Sequence, residues 1–222
     1  AVATASLAMS RVIVTRRPRD NYALRDLTIS LDSVGKLLKS TDASAASRCF
    51  EESLQARRRL VLLEPENLQF LRDLSISLDN VGNLLESTDA AAARRCFEES
   101  LAARRRLVSL EPENLQFLAD LSTSLNNVGY LLKSTDAAAA RRCFDESLEA
   151  RRRLVALEPE NLQFLRDLSD PLNNVGYLLE STDADAARRC FDESLEAARR
   201  LVALEPENLQ FLRDLSISLN NV

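Results

Sequence analysis

The chain has no histidine among its 222 residues, which removes the commonest general base and the commonest metal ligand. It has four glycines, all at one phase of a repeat. A Gly-rich phosphate loop and a flexible linker are therefore both absent, and no internal domain boundary is marked. No run of about 18 apolar residues occurs, the length a membrane-spanning helix needs. Paired-cysteine zinc motifs and a G-x-S-x-G elbow are missing as well. The carboxylates are numerous but fall at helix starts and among arginines. These absences argue against catalysis, against any metal or other cofactor and against membrane insertion. With a net charge of −5, 45% apolar and 28% charged residues, the composition is that of an ordinary, mildly acidic soluble protein. A phosphate-binding surface would show net basic character, so nucleic acid is not the expected partner.

What is present is repetition. Cys49, Cys96, Cys143 and Cys190 lie 47 residues apart, and so do Gly35, Gly82, Gly129 and Gly176. A fixed period of this size marks a solenoid, in which each unit buries its apolar face on its neighbours. The register gives a single array over 1–222: a partial second helix at 1–17, repeats at 18–64, 65–111, 112–158 and 159–205, and a partial first helix at 206–222. The opening AVATASLAMSRVIVT is apolar, but Arg11 interrupts it and it aligns with residues 48–62, so a degenerate helix is expected there rather than a leader. Without an initiator Met the sequence reads as a fragment or a processed product. Equivalent helices in a stack lie about 8–10 Å apart, beyond the roughly 7 Å Cα limit for a disulfide. The four cysteines are therefore expected as buried thiols. They do not fix the compartment; a cytoplasmic setting is favoured unless copies assemble into filaments outside the cell.

Within residues 64–110, Glu64-Pro65-Glu66-Asn67 stops one helix and starts the next, with Asn67 or Glu64 as cap. Leu71, Leu74, Leu78, Val81 and Leu85 then make one apolar stripe at helical spacing. Ser87-Thr88-Asp89 supplies a second start signal. The second helix is expected over about Ala90 to Leu110, burying Ala93, Cys96, Phe97, Ser100, Leu101, Leu107 and Val108. Each helix would span roughly 21 residues or 32 Å, paired as an antiparallel hairpin. Gly82 lies inside the first helix, where it costs about 1 kcal/mol relative to Ala. Its recurrence predicts close approach by a neighbouring helix, with Ala93, Cys96 and Ser100 as the facing surface.

Leu78, Val81, Gly82, Leu85, Ala93, Phe97 and the junction Pro112 resemble the signature of the tetratricopeptide repeat, over nearly the whole chain. The unit is longer than the family's standard one and looks like the 47-residue variety found in tandem in bacterial multidomain proteins. The resemblance implies an all-α, right-handed superhelical solenoid of antiparallel helix hairpins. It also implies a concave groove lined by the first helices that holds a peptide or protein ligand. Some members clamp a peptide's C-terminal carboxylate with a Lys/Asn set; Asp32 and Asp79 stand where that clamp uses Lys, so that activity is not expected.

Residues 64–110 and 111–157 differ at eight positions. Five of these, Arg72/Ala119, Ile76/Thr123, Asp79/Asn126, Asn83/Tyr130 and Glu86/Lys133, fall on one helical stripe opposite the apolar one. Neutral drift does not explain this well, because Arg94, Arg95, Glu99, Arg105 and Arg106, also expected to be exposed, recur unchanged. The expected partner-binding groove is Arg25, Ile29, Asp32, Lys36 and Lys39; Arg72, Ile76, Asp79, Asn83 and Glu86; Thr123, Asn126, Tyr130 and Lys133; and Arg166, Asp170, Asn173, Tyr177 and Glu180. Tyr130 and Tyr177 are the best anchors.

The arginine-rich second helices read as solvated, self-neutralised faces with i,i+4 pairs such as Arg95–Glu99 and Glu149–Arg153. Arg104 falls near the buried face and is expected to pair with Asp73. Asp170-Pro171 inside a first helix predicts a local bend. Two functions follow. The first is a non-enzymatic protein-interaction scaffold. The second is a filament formed by further copies of the chain meeting head to tail, Val222 standing at the phase of Val81 and Ala1 at that of Arg48. Leu7, Val12, Val14, Leu212, Leu215 and Leu219 would then be the self-association residues.

Overall fold

The computed structural model describes residues 2–221 as helices joined by short turns, with no strand among the described residues. They form two compact units, one running through Leu110 and the other starting at Glu111. The first holds α1 (Val2–Arg16), α2 (Asn21–Leu38), α3 (Ala43–Leu63), α4 (Leu68–Leu85) and α5 (Ala90–Leu110). The second holds α6 (Leu115–Leu132), α7 (Ala137–Leu157), α8 (Leu162–Asp167), α9 (Ser169–Leu179), α10 (Ala184–Leu204) and α11 (Leu209–Asn220). The chain is all-α and built of antiparallel helix hairpins. Ala1 and Val222, used above to register a head-to-tail joint, lie outside the described residues.

The turn residues act as the sequence indicates. Asn67 Oδ1 accepts the Phe70 N–H at 3.2 Å, and Asn114 Oδ1 accepts that of Phe117 at 3.1 Å. Asp42, Asp89, Asp136 and Asp183 cap the second helices in the same way, each at 2.9 Å. A cap of this kind stabilises a helix by about 1 kcal/mol. The Glu64 N–H closes α3 on the Leu60 carbonyl at 3.0 Å before Pro65 stops it. First helices such as α4 are 18 residues long and second helices such as α5 are 21. The first is thus about one turn shorter than its pattern suggested.

Leu71, Leu74, Leu78 and Val81 of α4 are buried against Ala93, Cys96, Phe97, Leu101 and Leu107 of α5. Leu54 of α3 joins Leu74, Leu78, Val81 and Cys96 in one cluster, so the second helix of one hairpin covers both helices of the next. Leu165, Leu201 and Phe211 make the corresponding cluster of α8, α10 and α11. Each buried leucine contributes about 1.5–3 kcal/mol.

No described residue has a left-handed backbone, so the glycines provide room rather than conformation. A Cβ on Gly82 would lie 2.7 Å from Cε1 of Phe97, and one on Gly129 would lie 2.5 Å from Cε1 of Phe144. The close approach is made by the phenylalanine ring of the hairpin's own second helix, not by the small residues Ala93, Cys96 and Ser100. An aromatic ring seated over a bare backbone draws the two helices together, which offsets the helix propensity lost at Gly.

Pro171 splits the fourth first helix into α8 and α9 at Leu168. Having no N–H, it sits in the opening turn of α9, where that group has no partner in any case. The disturbance reaches the facing helix. Ser100 and Ser147 donate to the carbonyls of Ser75 and Ser122 at 3.0 and 3.1 Å. The equivalent Ser194 Oγ is buried without a partner among the described residues.

Candidate partner-binding surface

In unit 1, Arg25, Ile29 and Lys36 on α2 are exposed and Asp32 is half-buried, with Lys39 at the helix end. On α4, Ile76 and Asn83 are exposed, Arg72 and Asp79 are half-buried, and Glu86 occupies the C-cap. In unit 2, Thr123 and Tyr130 on α6 are exposed, Asn126 is half-buried and Lys133 is the C-cap. Arg166 on α8 and Asp170 and Tyr177 on α9 are exposed, Asn173 is half-buried and Glu180 is the C-cap. Lys39 and Lys133 suit the negative end of a helix dipole; Glu86 and Glu180 oppose it.

Asp32 and Asp79 are not free to meet a ligand. Arg57 Nη2 lies 2.6 Å from Asp32 Oδ2, and Arg104 Nη2 lies 2.6 Å from Asp79 Oδ2. Arg104 therefore pairs across its own hairpin with Asp79 rather than with Asp73, whose carboxylate instead accepts from Gln69 at 2.7 Å. The stripe sits over the buried face of the facing helix, and a side chain 25 residues on reaches across the hairpin to it. Arg57 also donates to Ser77 of the next hairpin at 3.2 Å. Where the repeat carries Asn126 instead of Asp, Arg151 turns forward to Asp167 at 2.8 Å and donates to Ser122 at 2.8 Å. In the fourth hairpin the equivalent positions are Asn173 and Ala198, so the arginine is absent as well as the acid.

The tyrosines hold a contact the sequence reading missed. Tyr130 Oη donates to Asn174 Oδ1 at 2.9 Å, and Tyr177 Oη donates to Asn221 Oδ1 at 3.1 Å. Each phenol spans from one first helix to the next. Its ring meets the hairpin phenylalanine edge-on or tilted, at 5.4 Å from Phe144 and 5.3 Å from Phe191. The available signal was Asn80, Asn127, Asn174 and Asn221, a residue repeated without change one helical turn before the tyrosine phase. The rings still present a wide exposed face, with Tyr130 54% and Tyr177 47% accessible.

The arginine-rich helices are cross-linked rather than merely solvated. Arg58 Nε donates to Glu99 Oε1 at 2.8 Å, and Arg152 Nε to Glu193 Oε1 at 2.9 Å, 41 residues apart in each case. Arg11 and Glu52 make the same pair at 2.9 Å. Glu99 is therefore taken by the preceding hairpin and not by Arg95, while Arg153 donates to the Pro112 carbonyl instead of pairing with Glu149. Local pairs do form between Arg94 and Glu98 and between Arg141 and Asp145. These fork-shaped contacts tie second helix to second helix.

Of the self-association residues, Leu7 and Val14 are buried in the cluster with Leu24, Leu27 and Leu60, so they are already occupied within unit 1. Val12, Leu212 and Leu219 are exposed and Leu215 is half-buried. No group of three metal-holding side chains occurs among the described residues, and no described helix is long and apolar enough to cross a membrane.

No family model matches the chain, and no curated protein matches it. Among solved structures, MamA MSR-1 C2 is similar at a TM-score of 0.49 and 14% identity over 89% of this chain and 88% of that one. A thermophilic TPR protein of Thermus thermophilus is similar at a TM-score of 0.45 and 15% identity, over 98% and 90%. A circular tandem repeat protein with novel repeat topology is similar at 0.48 and 22% identity, over 96% of this chain and 57% of that one. The hairpin contacts above, Gly on Phe, Leu stripe on Leu stripe and capped turns between them, make this an all-α chain of antiparallel helix hairpins.

Proposed function

We propose that the chain is a non-enzymatic scaffold that holds a protein or peptide against the exposed stripe of its first helices. The observation that carries this is the contrast between two faces. The second helices repeat the same Arg–Glu links from hairpin to hairpin. The first helices carry a stripe that changes along the chain and leaves Ile29 59% and Ile76 41% exposed in unit 1, and the rings of Tyr130 and Tyr177 open in unit 2. Exposed apolar and aromatic side chains in a polar frame are what a partner buries. Glu86 and Glu180 at helix C-termini point the same way, since helix stability alone disfavours them there. Asp32 and Asp79 serve in this scheme as counterions of Arg57 and Arg104, and the exposed members of the stripe make the contacts.

The test is selection of a displayed random peptide library on the full chain, followed by affinity measurement. Tyr177→Ala should weaken selected peptides about fivefold or more, and Tyr177→Phe, which keeps the ring and removes the bond to Asn221, much less. Failure to select any peptide would remove the scaffold reading. Electron micrographs with fibres that lengthen with protein concentration would instead favour head-to-tail assembly of copies.

A further inference from the structure

The helix break at Leu168 is accompanied by a cavity of about 320 Å³ on the groove face of unit 2, lined by residues of α8, α9 and α11. Three carboxylates line it: Asp167, Asp170 and Asp214. Two are already balanced. Asp167 takes Arg151 at 2.8 Å and Gln163 at 2.6 Å, and Asp214 takes Arg166 at 2.9 Å and Gln210 at 2.9 Å. Asp170 has no hydrogen bond or ion pair among the described residues, which leaves the cavity with one unneutralised negative charge.

A second feature is independent of that charge. Ser218, on the α11 side, is 3% exposed and lines the same cavity, and its hydroxyl finds no partner among the described residues. Lining the cavity, that hydroxyl is open to bonding with a donor that enters it. The cavity thus offers one carboxylate and one hydroxyl acceptor around a space at the small end of ligand pockets, about 300–1,000 Å³. That suits the end of one long side chain. The feature belongs to this hairpin alone, because the phase of Asp170 carries Ile29, Ile76, Thr123 and Ile217 elsewhere and Pro171 replaces a serine.

We propose that this cavity receives a lysine or arginine side chain of the bound protein or peptide, with Asp170 as its counterion and Ser218 as an acceptor. The proposal rests on the groove reading above and names the chemistry of its partner. A cation bearing several N–H donors satisfies the carboxylate and the hydroxyl together, which a neutral side chain does not.

The test is an NMR titration of the full chain with N-acetylarginine amide and with its neutral isostere N-acetylcitrulline amide. The arginine probe should shift the backbone amides of Ser169, Asp170, Asn173, Ile217 and Ser218 saturably at low salt, and the citrulline probe should bind at least about fivefold more weakly. Asp170→Asn and Asp170→Ile, the latter restoring the residue found at this phase elsewhere, should each weaken the arginine probe by a similar factor. Ser218→Ala should weaken it less. Equal shifts from both probes, or an unchanged arginine titration in Asp170→Asn, would overturn the proposal. Selected library peptides without a recurrent Lys or Arg would overturn it too and leave the groove reading standing. If no peptide is selected, the groove reading falls, and the arginine probe still decides the cavity.

Discussion

Arg104 illustrates how a residue's role depends on reach rather than on its neighbours in the sequence. Its guanidinium is nearly enclosed, and the Asp79 side chain keeps 28% of its exposure. Removing one member leaves the other poorly solvated, so Arg104→Ala should destabilise unit 1 by about 2 kcal/mol, between the values for buried and for exposed pairs. The double change Arg104→Ala with Asp79→Asn recreates the Asn173/Ala198 combination of the fourth hairpin. It should recover a good part of that loss. A double-mutant cycle in urea checks it, and strictly additive effects would mean the pair is not coupled. Asp73→Ala, which leaves this pair intact, should cost much less.

At the level of the helix, the hairpin is set by ring-on-glycine contact. Phe144 is fully buried and held by Tyr130, so it has no room to retreat from a Cβ at Gly129. Ala gains about 1 kcal/mol of helix propensity there, and overpacking costs about 1–3 kcal/mol. Gly129→Ala should therefore lower stability despite better propensity. Gly35→Ala, facing the half-buried Phe50 at 2.8 Å, should lower it less. Thermal melts of the two variants compare them directly, and a Gly129→Ala protein more stable than wild type would contradict the account. Pro171 shows the opposite case, an element rule broken at one repeat. The helix re-initiates instead of bending smoothly, and the cost appears as the orphaned Ser194 hydroxyl.

Across the whole molecule, the thiols of Cys49, Cys96 and Cys190 lie beside the Arg–Glu links of the second helices. Burial pushes the thiols of Cys49, Cys96 and Cys190 above their ordinary value, against the opposing pull of nearby arginines. The folded chain therefore holds its thiol protons at pH values where the unfolded chain releases them. Stability from this source is fully present below the unfolded thiol value, about 8.5, and falls as pH rises through the higher folded values. Urea midpoints measured at successive alkaline pH should decline, and replacing the cysteines with Ala should flatten that decline. An equal slope in the Cys-free chain would remove the thiols as its cause. At this scale the hairpin repeat was legible from the 47-residue period, the capping signals and the leucine stripes, because each depends on spacing along one helix. The salt links and tyrosine contacts were not, because residues 25 apart meet only when a hairpin closes, and residues 41 or 44 apart only when hairpins stack.

The sequence by itself determined that the chain would be a series of capped, amphipathic helix pairs with buried thiols, since local spacing and turn chemistry decide those features. Only the tertiary structure decided that phenylalanine fills the space left by glycine and that Arg104 chooses Asp79. It also decided that the tyrosine hydroxyls grip the next hairpin and that Asp170 and Ser218 border one cavity. The physical reason is that these outcomes turn on distances across helices, which the order of residues does not contain.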